Sequence, residues 1–161
     1  MIRIQDYIKM MNNEHEIMLE QTKGLSHADS LIQPQPGGNC LNWVMGHLVN
    51  NLLIILNILE VPHPPEVPDL KRYGYGSDPV TGEAPDILPF QDLVDSYGLL
   101  SNMICVRLEG MAEAQFTEEI EHFMGRVTRS WAAFFFFFHN TYHLGQLEQL
   151  RNLAGKTEKV I

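Results

Sequence analysis

The 161-residue sequence reads as all-α, a four-helix bundle with a long crossover between its second and third helices. Three observations point there. Apolar residues recur at helical spacing in four separate stretches. Period-two strand signals are nearly absent. One long interruption, rich in proline and glycine, divides the helices into two pairs.

The first stretch runs from about Ile4 to Gly24, with apolar residues at Ile4, Tyr7, Ile8, Met11, Met18 and Leu19. Gly24 is a natural stop, and the "NNEHE" segment around His15 reads as a solvated face. A loop, "SLIQPQPGGN", follows. Asn39 is then placed to cap a second helix over about Cys40 to Leu59, because its side chain can accept a free backbone N–H. "EVPHPPEVP" ends that helix, since proline offers no N–H. From Val61 to Leu88 there is no helical period, and most of the prolines fall here. A segment of this length is either a surface crossover or a lid or wall over a site. Pro89 suits the first turn of a third helix reaching about Met111. "AEAQFTEEIEHFMGR" is acidic and irregular. Thr128 is placed to cap the last helix, which reaches about Asn152 with Gly155 beyond it. No repeat or second domain interrupts this order, so residues 1–161 are expected to form a single domain.

Composition narrows the function classes. Hydrophobic residues make up 45% and charged residues 19%, a globular balance. The net charge of −9 disfavours nucleic acid and anionic membrane surfaces as partners. The longest apolar run, Trp131 to Phe138, has eight residues, far short of the roughly 20 needed to span a bilayer. Cys40 and Cys105 form no close pair, and the N-terminus has no apolar signal core. The expectation is a cytoplasmic protein with reduced thiols.

Chemistry concentrates in "FFFFFHNTYHLGQ", Phe134 to Gln146. His139 and His143, four apart, share one helical face and can bind one ion. Asn140 stands where a zinc protease of the His-Glu-x-x-His class has its glutamate, so that class is excluded. Spacing alone leaves hydrogen bonding open as the pair's other role. A catalytic metal needs a third protein ligand. His47, inside the apolar "NWVMGHLVNNLL", is the best candidate; it shares a face with Trp43, Asn51, Ile54 and Ile58, and its alternative is a satisfied core histidine. A ferritin-like di-iron site is disfavoured. Glu119 to His122 matches its Glu-x-x-His spacing once, in an irregular segment, and Glu60 to His63 matches only across Pro62.

"NWVMGHL" together with "HNTYHLGQLEQLR" resembles the DinB superfamily, the DinB/YfiT-like metalloenzymes. The shared features are Trp-x-x-x-His in the second helix, His-x-x-x-His-x-Gly-Gln in the last and the long crossover. The last of these motifs is met here as His-Leu-Gly-Gln at its end. The resemblance covers nearly the whole chain. It implies a four-helix bundle, a divalent-metal site of His47, His139 and His143, and a homodimer. Characterised members include thiol S-transferases and a thiol-dependent isomerase, so the resemblance fixes the site more firmly than the reaction.

On the last helix, Phe135 and Phe136 fall beside the histidines, Trp131, Phe138 and Tyr142 on one flank, and Phe134 and Phe137 on the back. The back pair is expected to form the homodimer interface, or else to be covered by the long loop. Gln146 is placed to orient an imidazole; Asn51, Trp43, Phe135 and Phe136 are placed to line a pocket. Three neutral imidazoles suit zinc or nickel first. The function expected is a metal-dependent hydrolase or thiol S-transferase acting on a small molecule, a thiol among the candidates. The competing class is a non-enzymatic metal-binding homodimer with a stress or interaction role.

Overall fold

The computed structural model describes residues 2–160. Among these the chain is mostly helical, with six helices and one two-stranded sheet. Helix α1 spans Ile4–Thr22 and buries Ile4, Tyr7, Ile8, Met11 and Met18, as its spacing predicts. Two positions differ from expectation. Leu19 is 45% exposed, and Glu14, inside the polar "NNEHE", is buried on the apolar stripe. Gly24 follows the helix with φ +70, a conformation that an L side chain resists.

Where a plain loop was expected, His27–Ser30 forms a short helix, α2. Ser26 and Asp29 close a capping box on it, with Ser26 N–H donating to the Asp29 carboxylate at 2.8 Å. Helix α3, Leu41–Ile58, is the central helix and is buried on almost every face. Its capping residue is Cys40 rather than Asn39, and no side chain caps it. By length and composition α3 is apolar enough to cross a membrane, but 78% of it is buried inside the protein, as befits a core helix.

The crossover is not featureless. It contains a 3-10 turn, Lys71–Tyr73, and Tyr73 is fully buried. Helix α4, Phe90–Glu109, starts after Pro89. The "irregular" stretch that follows is a short helix α5, Glu113–Phe116, then strands β1, Glu119–His122, and β2, Gly125–Thr128. They pair antiparallel, Ile120 opposite Val127 and His122 opposite Gly125. This corrects the all-helical expectation. Strands of four residues are too short for alternation to show, and the hairpin depends on Gly125 at φ +91. Helix α6, Arg129–Leu153, begins where Thr128 predicts, its Oγ1 accepting the Trp131 N–H at 3.2 Å.

Helix α1 packs on α4 and α6, and α3 packs on the same two. The shared core includes Tyr7, Met11, Met45, Leu48, Leu52 and Ile55, each fully buried. Side chains of this size contribute about 1.5–3 kcal/mol each when buried. Arg129, 4% exposed, ties the end of α3 to the hairpin region. Its guanidinium donates to the carbonyl of Ile58 and that of Gln115, and to the carboxylates of Glu60 and Glu118. Every one of these partners offsets the cost of burying the charge.

The phenylalanine run is divided by this packing. Phe137 lies against Tyr7 of α1, ring centroids 5.8 Å apart, and stacks on Phe134. The back pair is therefore half-buried within the chain, packed against the core. The exposed aromatics of α6 are the flank: Trp131 at 50%, Phe138 at 64% and Tyr142 at 64%.

Candidate metal centre

His47 comes from the middle of α3, and His139 and His143 come from one face of α6, which packs beside it. Their nearest ring nitrogens all lie within 4.8 Å of one another. His139 Nε2 is 3.1 Å from His47 Nε2 and 3.0 Å from His143 Nε2.

What holds the rings determines what they can do. His47 Nδ1–H donates to the backbone carbonyl of Tyr73 at 2.8 Å. His143 Nδ1–H donates to Gln146 Oε1 at 2.7 Å. With the proton fixed on Nδ1, each neutral ring turns a bare lone pair inward at Nε2. Burial keeps all three imidazoles below the ordinary histidine range, and His143 is lowered to about 4. The rings are thus neutral at pH 7. His139 can donate one proton from Nε2, which satisfies one neighbour and leaves the other neighbour's lone pair without a donor. A cation at the centre removes this conflict. Tetrahedral zinc bound by imidazoles at 2.0–2.1 Å implies N···N separations of about 3.3 Å, a few tenths from the two that His139 makes, with all three nitrogens within 4.8 Å. The residues fit a divalent metal.

The surrounding candidates fall into place around this cluster. Trp43 stacks on the His47 ring, centroids 4.9 Å apart and planes at 12°, and its indole N–H donates to Ser77 Oγ at 3.0 Å. Gln146 orients His143. Asn51, Phe135 and Phe136 line a cavity of about 900 Å³ that reaches His47 and His139. Ile54, Ile58 and Ile120 make its walls mostly apolar. Asn51 also donates to Asn140 Oδ1 at 2.9 Å, tying α3 to α6 beside the three histidines.

Several contributors escape sequence reasoning. The Tyr73 carbonyl is a backbone group, without side-chain signature. Its position depends on Gly46, where a Cβ would stand 2.2 Å from the Tyr73 ring; a glycine next to a buried histidine was the available signal. Ser77 and Tyr75 bring the crossover to the site as a wall. His122 and Phe123 come from the unforeseen hairpin and close the cavity's far side. On α1, Glu14 is a buried acid where no acid or base was expected. Its carboxyl is raised to about 8 by burial, and Thr141 Oγ1 donates to it at 3.3 Å. It lines neither cavity at the histidines. Its spacing from Tyr7, Met11 and Met18 placed it on the core stripe.

Comparison with known proteins agrees with the fold. No curated protein matches the chain. A conserved protein from Enterococcus faecalis, of known crystal structure, superposes with a TM-score of 0.73 at 19% identity, covering 96% of this chain and 98% of that one. A DinB-like protein from Bacillus cereus ATCC 10987 superposes with a TM-score of 0.76 at 17% identity, covering 95% and 93%. At these identities the likeness shows the fold. The sequence itself matches the family model of the DinB superfamily over residues 11–147, most of its length, and the chain belongs to that superfamily.

Proposed function

We propose that this protein is a metal-dependent enzyme, of the hydrolase or thiol S-transferase type, acting on a small molecule. The scaffold is read as a four-helix bundle of α1, α3, α4 and α6. The observation that carries the proposal is the convergence of three imidazole Nε2 atoms beside a large apolar cavity. His47, His139 and His143 would hold a divalent ion, zinc or nickel by the nature of three nitrogen donors. Such an ion, when bound, supplies the positive charge that acidifies a coordinated water or thiol.

The chain's own residues do the rest. The Tyr73 carbonyl and Gln146 set the tautomers of His47 and His143. Trp43 fixes the plane of the His47 ring. Phe135, Phe136 and Ile54 keep bulk water from the approach to the ligands, which strengthens every polar contact made there. The test is turnover on ester, amide, epoxide and thiol-conjugation panels by metal-loaded and metal-stripped protein. Metal-dependent turnover supports the reading. Stoichiometric metal with no turnover on any panel overturns it.

A second reading, a non-enzymatic metal-binding homodimer, is favoured by one observation. Trp131, Phe138 and Tyr142 form an exposed aromatic stripe on α6, of the sort that marks association surfaces. The homodimer itself is compatible with both readings; the stripe, rather than Phe134 and Phe137, is the face it would use.

A further inference from the structure

A groove of about 500 Å³ lies between the first half of α4 and the crossover, and it shares no lining residue with either cavity at the histidines. Asp92, Asp95, Ser96 and Leu99 line it from α4. Their spacing of three, four and seven puts all four on one face of the helix. Glu66, Pro68 and Leu88 line it from the crossover. The groove thus carries three acidic side chains and no Lys, Arg or His. Part of this acidity serves the helix. Asp92 stands in the first turn of α4, where a negative side chain meets the positive end of the helix dipole. Asp95 accepts from the Gln91 amide at 2.8 Å. Glu66 has neither role, and it comes from a different element.

Ser96 supplies an independent observation. It is only 7% exposed, and it lines the floor of the groove. A hydroxyl inside a helix can bond back to a carbonyl three or four residues earlier, as Thr22 does to Met18 and Leu19. Ser96 makes no such bond, and its hydroxyl has no hydrogen-bond partner among the described residues. A buried hydroxyl without a partner is costly, and a donor lodged in the groove would satisfy it.

The acids and the hydroxyl together call for a cation that donates hydrogen bonds. A divalent metal does not fit. It needs oxygens converging at about 2.0–2.6 Å, and among the described residues the cluster close enough to share one ion is that of the three histidines, not these acids. Here the charge is spread along the groove, with the apolar surface of Pro68, Leu88 and Leu99 beside it. We infer that the groove binds a small aliphatic polyamine, a methylene chain carrying two or more ammonium groups. The ammonium N–H groups donate to Asp92, Asp95 and Glu66 and to Ser96 Oγ. The methylenes lie on Leu88 and Leu99, as the stem of a lysine side chain lies on apolar surface. Bound in this way, the ligand clasps the crossover to α4.

The test is calorimetric titration of the full-length protein with spermidine at about 0.15 M salt, where long-range attraction to an acidic surface is largely screened. The expected result is saturable binding of one spermidine per chain, with amide shifts in nitrogen-15 NMR spectra gathered on Glu66 and on α4 from Asp92 to Leu99. Ser96→Ala removes the buried acceptor without burdening the helix and should weaken binding roughly tenfold. Asp92→Asn and Asp95→Asn should each weaken it by roughly two- to fivefold. Glu109→Gln, an exposed acid at the other end of α4, should leave it unchanged. Absence of saturable binding overturns the inference. So does an affinity that Ser96→Ala leaves unchanged, or that falls equally in Glu109→Gln and Asp92→Asn, because the amine would then be a loose counterion of an acidic surface.

Discussion

The backbone carbonyl of Tyr73 accepts the Nδ1–H of His47 at 2.8 Å, and the Tyr73 ring fills the space left by the missing side chain of Gly46. One residue of the crossover thereby sets the tautomer of His47 on α3. Gly46→Ala should push the Tyr73 ring away and release that carbonyl. The expected cost is about 1–3 kcal/mol of stability from overpacking. Metal affinity should fall by roughly 10–100-fold as the outer hydrogen bond is lost. Thermal unfolding and a chelator competition titration measure the two effects separately.

Gln146 performs the same office for His143, but from a half-buried position on the same helix. Gln146→Leu should therefore lower metal affinity by roughly 10–100-fold while leaving the fold intact. An unchanged affinity would mean that His143 needs no such partner.

Glu14 makes the fold sensitive to pH. Burial penalises the charged form and pushes its carboxyl up to about 8 in the folded chain, against an ordinary value of 4.5. The folded state keeps a proton that the unfolded state has already released. The contribution is intact below the unfolded value and is lost as pH rises toward 8, by roughly 1.4 kcal/mol per pH unit within that window. Stability should decline from pH 5 to pH 8, and Glu14→Gln should flatten the profile. Denaturant unfolding at several pH values reads this directly; parallel profiles for the two proteins would contradict it.

The aromatic stripe of α6 gives a prediction on assembly. If a second copy covers Trp131, Phe138 and Tyr142, Phe138→Ser should shift the protein from dimer to monomer in sedimentation velocity. Phe137→Ser should instead lower stability, because Phe137 packs on Tyr7 within one chain.

The four long helices were legible because each carries three or more turns of apolar spacing, and Thr128 caps α6 as its side chain predicts. That His47, His139 and His143 converge was suggested by two histidines one turn apart and a third inside an apolar helix, a pattern that spacing left open and the family resemblance joined into one cluster. The rest was written in forms that single residues do not display. The hairpin has strands of only four residues, too short for alternation to show. The Tyr73 carbonyl acts through backbone. The faces of Phe134 and Phe137 were assigned correctly as the back of α6, yet which neighbour covers that back depended on α1. Asn39 lost the capping role to Cys40 because the chain enters α3 one residue later than its side chain suggested.

The central claim is that His47, His139 and His143 hold one divalent ion. Metal content of the purified protein, measured by inductively coupled plasma mass spectrometry beside a folded His143→Ala variant, tests it most directly. The account predicts about one ion per chain, lost in the variant. No metal in the native protein, even after incubation with zinc and with nickel, would contradict it.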